Sequence, residues 1–80
     1  MKKEEALVNF IEMIKNSWTY EKMTEEEQTR LMGMFNHPRV IDSLKGSFIQ
    51  RWASLQAIYY AFLIGLGYAP INWREGQEND

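Results

Sequence analysis

The stretch that decides the fold is SFIQRWASLQAIYYAFLIGL, residues Ser47–Leu66. Ser47 and Gln50 have the spacing of a capping box, in which each side chain bonds a backbone N–H at the start of a helix. Gly67 is placed to adopt the left-handed conformation that ends a helix in a Schellman motif. The sequence therefore predicts one long helix over residues 48–66.

At 100° per residue, this helix has an apolar face and, opposite it, a ridge of small side chains. The face expected in the core consists of Phe48, Trp52, Leu55, Tyr59, Phe62, Leu63 and Leu66. The ridge repeats every four residues and consists of Ala53, Ala57, Ala61 and Gly65, flanked by Ile49, Tyr60 and Ile64. Because polar residues are confined to the first half of the helix, we expect the second half to be covered nearly all round.

Two kinds of neighbour could provide that cover. Either the preceding helices wrap the long helix within one chain, or its small ridge meets a partner, most simply a second copy about a two-fold axis. The residues expected at a partner or dimer interface are Ala53, Ala57, Tyr60, Ala61, Ile64, Gly65, Trp73 and Arg74. Trp and Arg often carry binding energy at interfaces. The alternative for this tail is that Ile71 and Trp73 fold back onto a domain that is short of core.

Shorter helices are expected before the long one. Apolar residues at helical spacing predict the first, a capping box of Thr24 and Glu27 opens the second, and Pro38 begins a short third. A connecting loop is expected at Ser17–Tyr20. The helices are predicted at about residues 3–16, 25–36, 38–45 and 48–66. The fold class is therefore all-α, a three- to four-helix bundle around a central C-terminal helix.

The length of 80 residues suits one domain, which we place at residues 1–75, with a disordered polar tail at 76–80. There is no cysteine, so no disulfide can stabilise the fold, which fits a reducing compartment. The start has no signal-peptide pattern. The longest apolar run, Ala57–Leu66, has half of the roughly 20 residues that a membrane span needs. We expect a cytoplasmic protein that does not enter membranes.

Catalysis is not expected. The only histidine, His37, precedes Pro38 at a helix boundary, and nothing pairs with it for acid–base work, so we interpret it as an exposed or capping residue. Glu25–Glu27 belong to a helix start and do not form a metal site. Gly65 and Gly67 follow a helix and not a strand, so they form no phosphate loop. The sequence predicts no enzyme, no cofactor and no metal.

Nucleic-acid binding is the main alternative to protein binding. The net charge of −2 argues against bulk attraction to nucleic acid. Locally, however, Arg39, Lys45 and Arg51 are candidates for contact with an anion or with nucleic acid. The second and third helices could form a helix-turn-helix. A recognition helix of only two turns and the acidic net charge weigh against it.

Three segments in the C-terminal third to half of the chain carry a recognisable pattern: Gly46–Trp52 (GSFIQRW), Tyr59–Tyr68 (YYAFLIGLGY) and Pro70–Glu75 (PINWRE). In these segments the chain resembles small proteins that are often encoded in prophages of Gram-positive bacteria. The resemblance brings no activity and no residue roles. It implies a viral or mobile-element origin, where small acidic helical proteins often block a host factor.

From these observations we expect a phage-type protein-binding module in the cytoplasm of a bacterial host, for example an inhibitor or modulator of a defence or replication component. One alternative is a DNA-binding accessory or regulatory protein that uses Arg39, Lys45 and Arg51. A further alternative is a structural or assembly protein of the phage.

Overall fold

The computed structural model describes residues 2–73, and the side chains of residues 5–73. Five helices follow one another: α1 (Lys2–Lys15), α2 (Trp18–Lys22), α3 (Glu25–Phe35), α4 (Pro38–Ser43) and α5 (Phe48–Leu66). No strand occurs in this range, so the predicted all-α class is confirmed. None of the helices in the described range combines the length and the apolar character that crossing a membrane requires. The predicted tail at residues 76–80 lies outside the described residues.

α1 forms because its apolar residues recur on one side. Ala6, Leu7, Phe10 and Ile14 are buried, whereas Glu5 and the other polar residues between them are exposed. This spacing of three and four residues is that of an amphipathic helix. The predicted bounds of α1 were correct to within one residue at each end.

The predicted loop at Ser17–Tyr20 was wrong, because this segment begins the short helix α2. The Ser17 hydroxyl accepts a hydrogen bond from the Tyr20 backbone N–H (3.2 Å) and donates one to the Ile14 carbonyl (2.7 Å). A serine cap of this kind stabilises a helix start by about 1 kcal/mol, which helps to offset the weak helix propensity of Trp18 and Thr19.

α3 begins at the predicted capping box. The Thr24 hydroxyl accepts from the Glu27 N–H (3.1 Å), and the Glu27 carboxylate accepts from the Thr24 N–H (3.0 Å). α4 ends two residues earlier than predicted, at Ser43. The reason is that Leu44 adopts an extended conformation and is only 1% exposed, so the chain leaves the helix to bury this side chain.

α5 has the predicted bounds. The Ser47–Gln50 capping box is complete, with hydrogen bonds of 2.8 and 3.2 Å. At the other end Gly67 has φ of 85°, and the Tyr68 N–H donates to the Leu63 carbonyl (2.9 Å), which is the bond that defines a Schellman motif. The prediction of both helix ends is confirmed.

The core lies between α1 and α5, with α3 closing it. Phe10 is at its centre and meets three other rings edge-on: Trp52, Phe35 and Tyr59, at centroid distances of 4.8, 5.8 and 5.9 Å. Aromatic pairs in this arrangement contribute about 0.5–1.5 kcal/mol each beyond the burial of their area. α1 is the main neighbour of α5. Consequently α5 is covered mainly on the side that faces α1 and the core.

Candidate interaction surface

α5 presents two rows of residues with the same spacing and opposite burial. The inner row, Arg51, Leu55, Tyr59 and Leu63, is buried. The small ridge predicted from the sequence, Ala53, Ala57, Ala61 and Gly65, is exposed along its whole length. The exposed side of α5 also contains the polar Gln50. We call its apolar part the outer face, which consists of exposed Ile49, Ala53, Ala57, Ala61 and Gly65 with half-buried Tyr60 and Ile64.

Of the two kinds of cover expected for the second half of α5, wrapping by the preceding helices is incomplete in the described residues: Ala61 and Gly65 are exposed, and Tyr60 and Ile64 are only half-buried. Cover by a partner stays a prediction. In the first turn of α5, Ile49 is 78% exposed. The small ridge is exposed in the described part of the chain, whereas α1, the main neighbour of α5, packs against the inner row, with Phe10 beside Tyr59. What remains is an apolar surface without a charged side chain, since the only charged residue of α5, Arg51, points inward.

The predicted core residues of α5 divide into three groups. Leu55, Tyr59 and Leu63 are buried, as expected. Another three are half-buried, namely Trp52, Phe62 and Leu66. Phe48 is 40% exposed, because it lies in the first turn of α5 at the edge of the core.

A groove of about 410 Å³ lies where Phe48 reaches the surface. It is lined by Asn9, Phe48, Ile49 and Trp52. The Phe48 and Trp52 rings stack with 5.8 Å between centroids and 22° between planes, so the groove has a flat aromatic wall. Helical periodicity alone assigned these two rings to the core and thus missed the groove. The groove is continuous with the outer face through Ile49.

The C-terminal segment folds back onto the other end of the outer face. The rings of Trp73 and Tyr60 are stacked, with 4.0 Å between centroids and 7° between planes. Ile71, in contrast, is 86% exposed. The structure therefore supports the packing of Trp73 on the bundle but does not extend it to Ile71. Arg74, the other tail residue expected at an interface, lies outside the described residues.

The basic residues proposed as anion contacts do not form one surface. Arg39 and Lys45 are exposed, but Arg51 is only 8% exposed and its Nη1 donates a hydrogen bond to the Gly46 carbonyl. Arg51 belongs to the inner row because it precedes Leu55 by four residues. Its expected contact with nucleic acid is corrected accordingly: the guanidinium holds the loop before α5.

The helix-turn-helix interpretation finds little support in α4. This helix has six residues, and the chain is extended at Leu44 directly after it. His37 is exposed and caps α4, since its Nδ1 accepts from the Arg39 N–H (3.1 Å). The interpretation of His37 as an exposed capping residue agrees with this geometry.

A second concave region, of about 380 Å³, lies on the other side of Tyr60, between α1 and the turn after α5. Its polar lining groups are hydroxyls, including those of Ser17 and Tyr59. Burial raises the pKa of Tyr59 above its ordinary value. Among the described residues that line the region, there is no acid, histidine or lysine. Among the described residues, no three metal-ligating side chains come together.

One long-range hydrogen bond ties the turn after α5 to the start of α3. The Tyr68 hydroxyl donates to the Glu27 carboxylate (2.7 Å), which also belongs to the capping box. This bond is the main reason that the pKa of Glu27 lies below its ordinary value, and it raises the pKa of Tyr68. The sequence marked Glu27 as a capping residue but had no signal for this second partner, 41 residues away.

Comparison with known proteins yields no match: no family model, no curated protein and no solved structure is similar to this chain at a significant level. The case for a function therefore depends on the outer face and the groove beside it.

Proposed function

We propose that this chain is a small protein-binding module that acts without catalysis, and that it binds its partner through the outer face of α5. The observation that carries the proposal is an exposed apolar face along a 19-residue helix with no charged side chain on it. Contiguous exposed apolar patches larger than a few hundred Å² are uncommon on monomeric proteins, and the largest patch on a protein often marks an interaction site.

The composition of the surface favours a protein partner over nucleic acid. Interfaces between proteins are depleted in charge at their centre and enriched in aromatic residues. The outer face has no charge, and aromatic rings lie at both of its ends: Phe48 with Trp52, and Tyr60 with Trp73. Nucleic-acid binding depends on clustered exposed cations. Because Arg51 is buried, only two of the three candidate cations, Arg39 and Lys45, remain exposed.

The resemblance to prophage-encoded proteins supports a bacterial host cytoplasm as the setting, and a host factor as one class of partner. A structural or assembly role in a phage would use the same surface, with ordered oligomers as its sign.

The proposal is tested by photo-cross-linking in bacterial lysate, with and without nuclease. A photoreactive benzoylphenylalanine replaces Ile49, which is 78% exposed on the outer face. The matched control replaces Thr29, which is exposed on α3 in a surface region whose described lining includes no residue of α5. We expect nuclease-resistant cross-links to a distinct protein, or to a second copy, from position 49 and not from position 29.

Competition makes this experiment specific. An excess of unlabelled wild-type chain should suppress the cross-link, whereas an excess of Ala57→Glu chain should not, because the charge lies in the middle of the outer face. Equal cross-linking from both positions, or products that disappear with nuclease, would contradict the proposal.

A further inference from the structure

Four separate parts of the chain form the concave region beside Tyr60. They are the end of α1, the segment from Ser17 to Thr19, the second half of α5 and the turn after α5. The volume of about 380 Å³ falls within the range of about 300–1,000 Å³ that is usual for small-molecule sites. An apolar cavity of about 150 Å³ already holds a benzene ring. This region, which we call the hydroxyl cavity, is therefore large enough for a compound of one or two rings.

The walls of the hydroxyl cavity combine apolar surface with hydroxyl groups. The described lining contains no charged side chain, and its hydroxyl-bearing residues are Ser17, Thr19, Tyr59, Tyr60 and Tyr68. Apolar walls with a few polar groups are typical of ligand sites. An ion bound there would lose its hydration without gaining a counter-charge. The ligand that fits the cavity is therefore uncharged.

Two of these hydroxyls are already committed as hydrogen-bond donors. A hydroxyl has one proton to donate and two lone pairs that accept. Tyr68 donates its proton to the Glu27 carboxylate (2.7 Å), and Ser17 donates its proton to the Ile14 carbonyl (2.7 Å). Both oxygens can therefore only accept from a ligand. A ligand that satisfies them must carry a donor of its own, such as a hydroxyl group.

The aromatic rings in the wall are held in place by their own neighbours. Tyr59 is buried, and its ring meets Phe10 edge-on. The Tyr60 ring meets that of Tyr59 at 5.6 Å with 64° between planes. Trp73, which is not among the described lining residues, stacks on Tyr60. Rings fixed in this way lose little freedom on binding and offer edges and faces to a flat aromatic ligand.

From the size, the uncharged lining and the committed protons we infer that the hydroxyl cavity binds a small, uncharged aromatic compound that carries a hydroxyl group. The hydroxyl group of the ligand donates to Tyr68 or Ser17, and its ring packs against Tyr59 and Tyr60. This site goes beyond the proposed function, because the cavity shares only Tyr60 with the outer face of α5.

Three quinolines test the chemical class of the ligand. 6-Hydroxyquinoline has the rings and the donor, 6-methoxyquinoline has the rings without the donor, and quinoline-6-carboxylate carries a negative charge. Each is titrated at pH 7 into ¹⁵N-labelled protein, and amide chemical shifts are followed by NMR. We expect 6-hydroxyquinoline to bind with a Kd of about 0.1–1 mM, as suits a ligand of this size. The amides of Leu63 and Ala69, which line the cavity, should shift most.

The other two probes should bind more weakly. 6-Methoxyquinoline should lose about threefold to tenfold in affinity, because it leaves an accepting hydroxyl of the cavity without a partner. Quinoline-6-carboxylate should lose at least about tenfold, because its charge would be desolvated. Equal affinities for the hydroxy and methoxy compounds, tighter binding of the carboxylate, or no saturable shift at the cavity with 6-hydroxyquinoline would overturn the inference.

Two alanine substitutions of the same size locate the site. Ala69 lines the hydroxyl cavity, so Ala69→Phe should fill it and weaken binding of 6-hydroxyquinoline at least about tenfold. The matched control is Ala57→Phe, which places the same side chain on the exposed outer face and should bind the probe as the wild type does. Circular dichroism should show unchanged helix content in both. Full binding by Ala69→Phe, or an equal loss in both variants, would contradict this location.

Tyr68→Phe separates the role of the hydroxyl from the shape of the cavity. The variant keeps the ring and removes the accepting oxygen, so the preference for 6-hydroxyquinoline over 6-methoxyquinoline should fall. The ratio of the two affinities is the readout, because a turn that is merely looser would weaken both probes together. Ser17→Ala tests the other accepting oxygen in the same way. A preference that stays at the wild-type value in both variants would overturn the inference.

Discussion

The inner and outer rows of α5 have the same four-residue spacing and differ in what they contact. Arg51, Leu55, Tyr59 and Leu63 are buried against α1 and the core, whereas Ala53, Ala57, Ala61 and Gly65 remain exposed. Periodicity locates the two sides of a helix, and side-chain size decides which of them a small core can use. Large side chains fill the space between helices, while a row of small ones leaves the surface open to close approach by another helix.

The largest expected effect contrasts one residue from each side. Leu55 is 0% exposed, so Leu55→Ala should lower the free energy of unfolding by about 2–5 kcal/mol, through lost burial and a new cavity. Ile49→Ala should change it by less than about 0.5 kcal/mol. Urea unfolding followed by circular dichroism measures both. Similar losses in the two variants would show that Ile49 is covered within the chain, and the distinction between the rows would fail.

A smaller effect is expected at Arg51, the charged member of the inner row. Its Nη1 bonds the Gly46 carbonyl, while its buried Nε has no hydrogen-bond partner among the described residues. Arg51→Ala should destabilise by about 1–3 kcal/mol through loss of this bond and of the packed aliphatic stem. Arg51→Met should cost less than about 1 kcal/mol, because it keeps the packing and removes a poorly compensated buried charge.

Urea unfolding of the two Arg51 variants separates these contributions. Equal destabilisation by alanine and methionine would mean that the hydrogen bond to Gly46, and not the packing of the stem, is what matters. Arg51 in the inner row would then act mainly by stabilising the loop before α5 through this hydrogen bond.

The smallest expected effect is on the pH dependence of stability, and it comes from the hydrogen bond between Tyr68, after α5, and Glu27 in α3. The hydrogen bond from Tyr68 is the main cause that lowers the pKa of Glu27 below its ordinary value of 4.5. A carboxylate with a lowered folded-state pKa stabilises the protein above its unfolded-state pKa, and this contribution is lost as the pH falls through the folded-state value. The melting temperature should therefore fall on acidification below about pH 4.5.

Tyr68→Phe should reduce the part of this acid dependence that comes from Glu27, and Glu27→Gln should abolish it. Because the pKa of Tyr68 is raised, the same bond should be lost again as the pH rises above about 10. Thermal melts of the wild type and the two variants from about pH 3 to about pH 11 are the measurement. If the melting temperatures of all three proteins change identically with pH, the Tyr68–Glu27 hydrogen bond does not contribute to stability.

Local signals in the sequence were sufficient for most helix ends. Thr24 with Glu27, and Ser47 with Gln50, satisfy the first free N–H groups of a helix within three residues, so their effect does not depend on distant packing. The one error of element type, at α2, came from overlooking Ser17 as a cap for a segment with poor helix propensity. The prophage resemblance and the protein-binding function remain predictions from the sequence.

The candidate surface could be predicted only in part. The sequence by itself determined the helical class, the bounds of α5 and the existence of a small ridge, because spacing and capping act over one or two turns. Only the tertiary structure decided that this ridge is left exposed, that Arg51 turns inward, that Trp73 stacks on Tyr60 and that Tyr68 bonds Glu27. Each of these outcomes depends on where another segment lies in space, and the residues of a single helix do not encode that position.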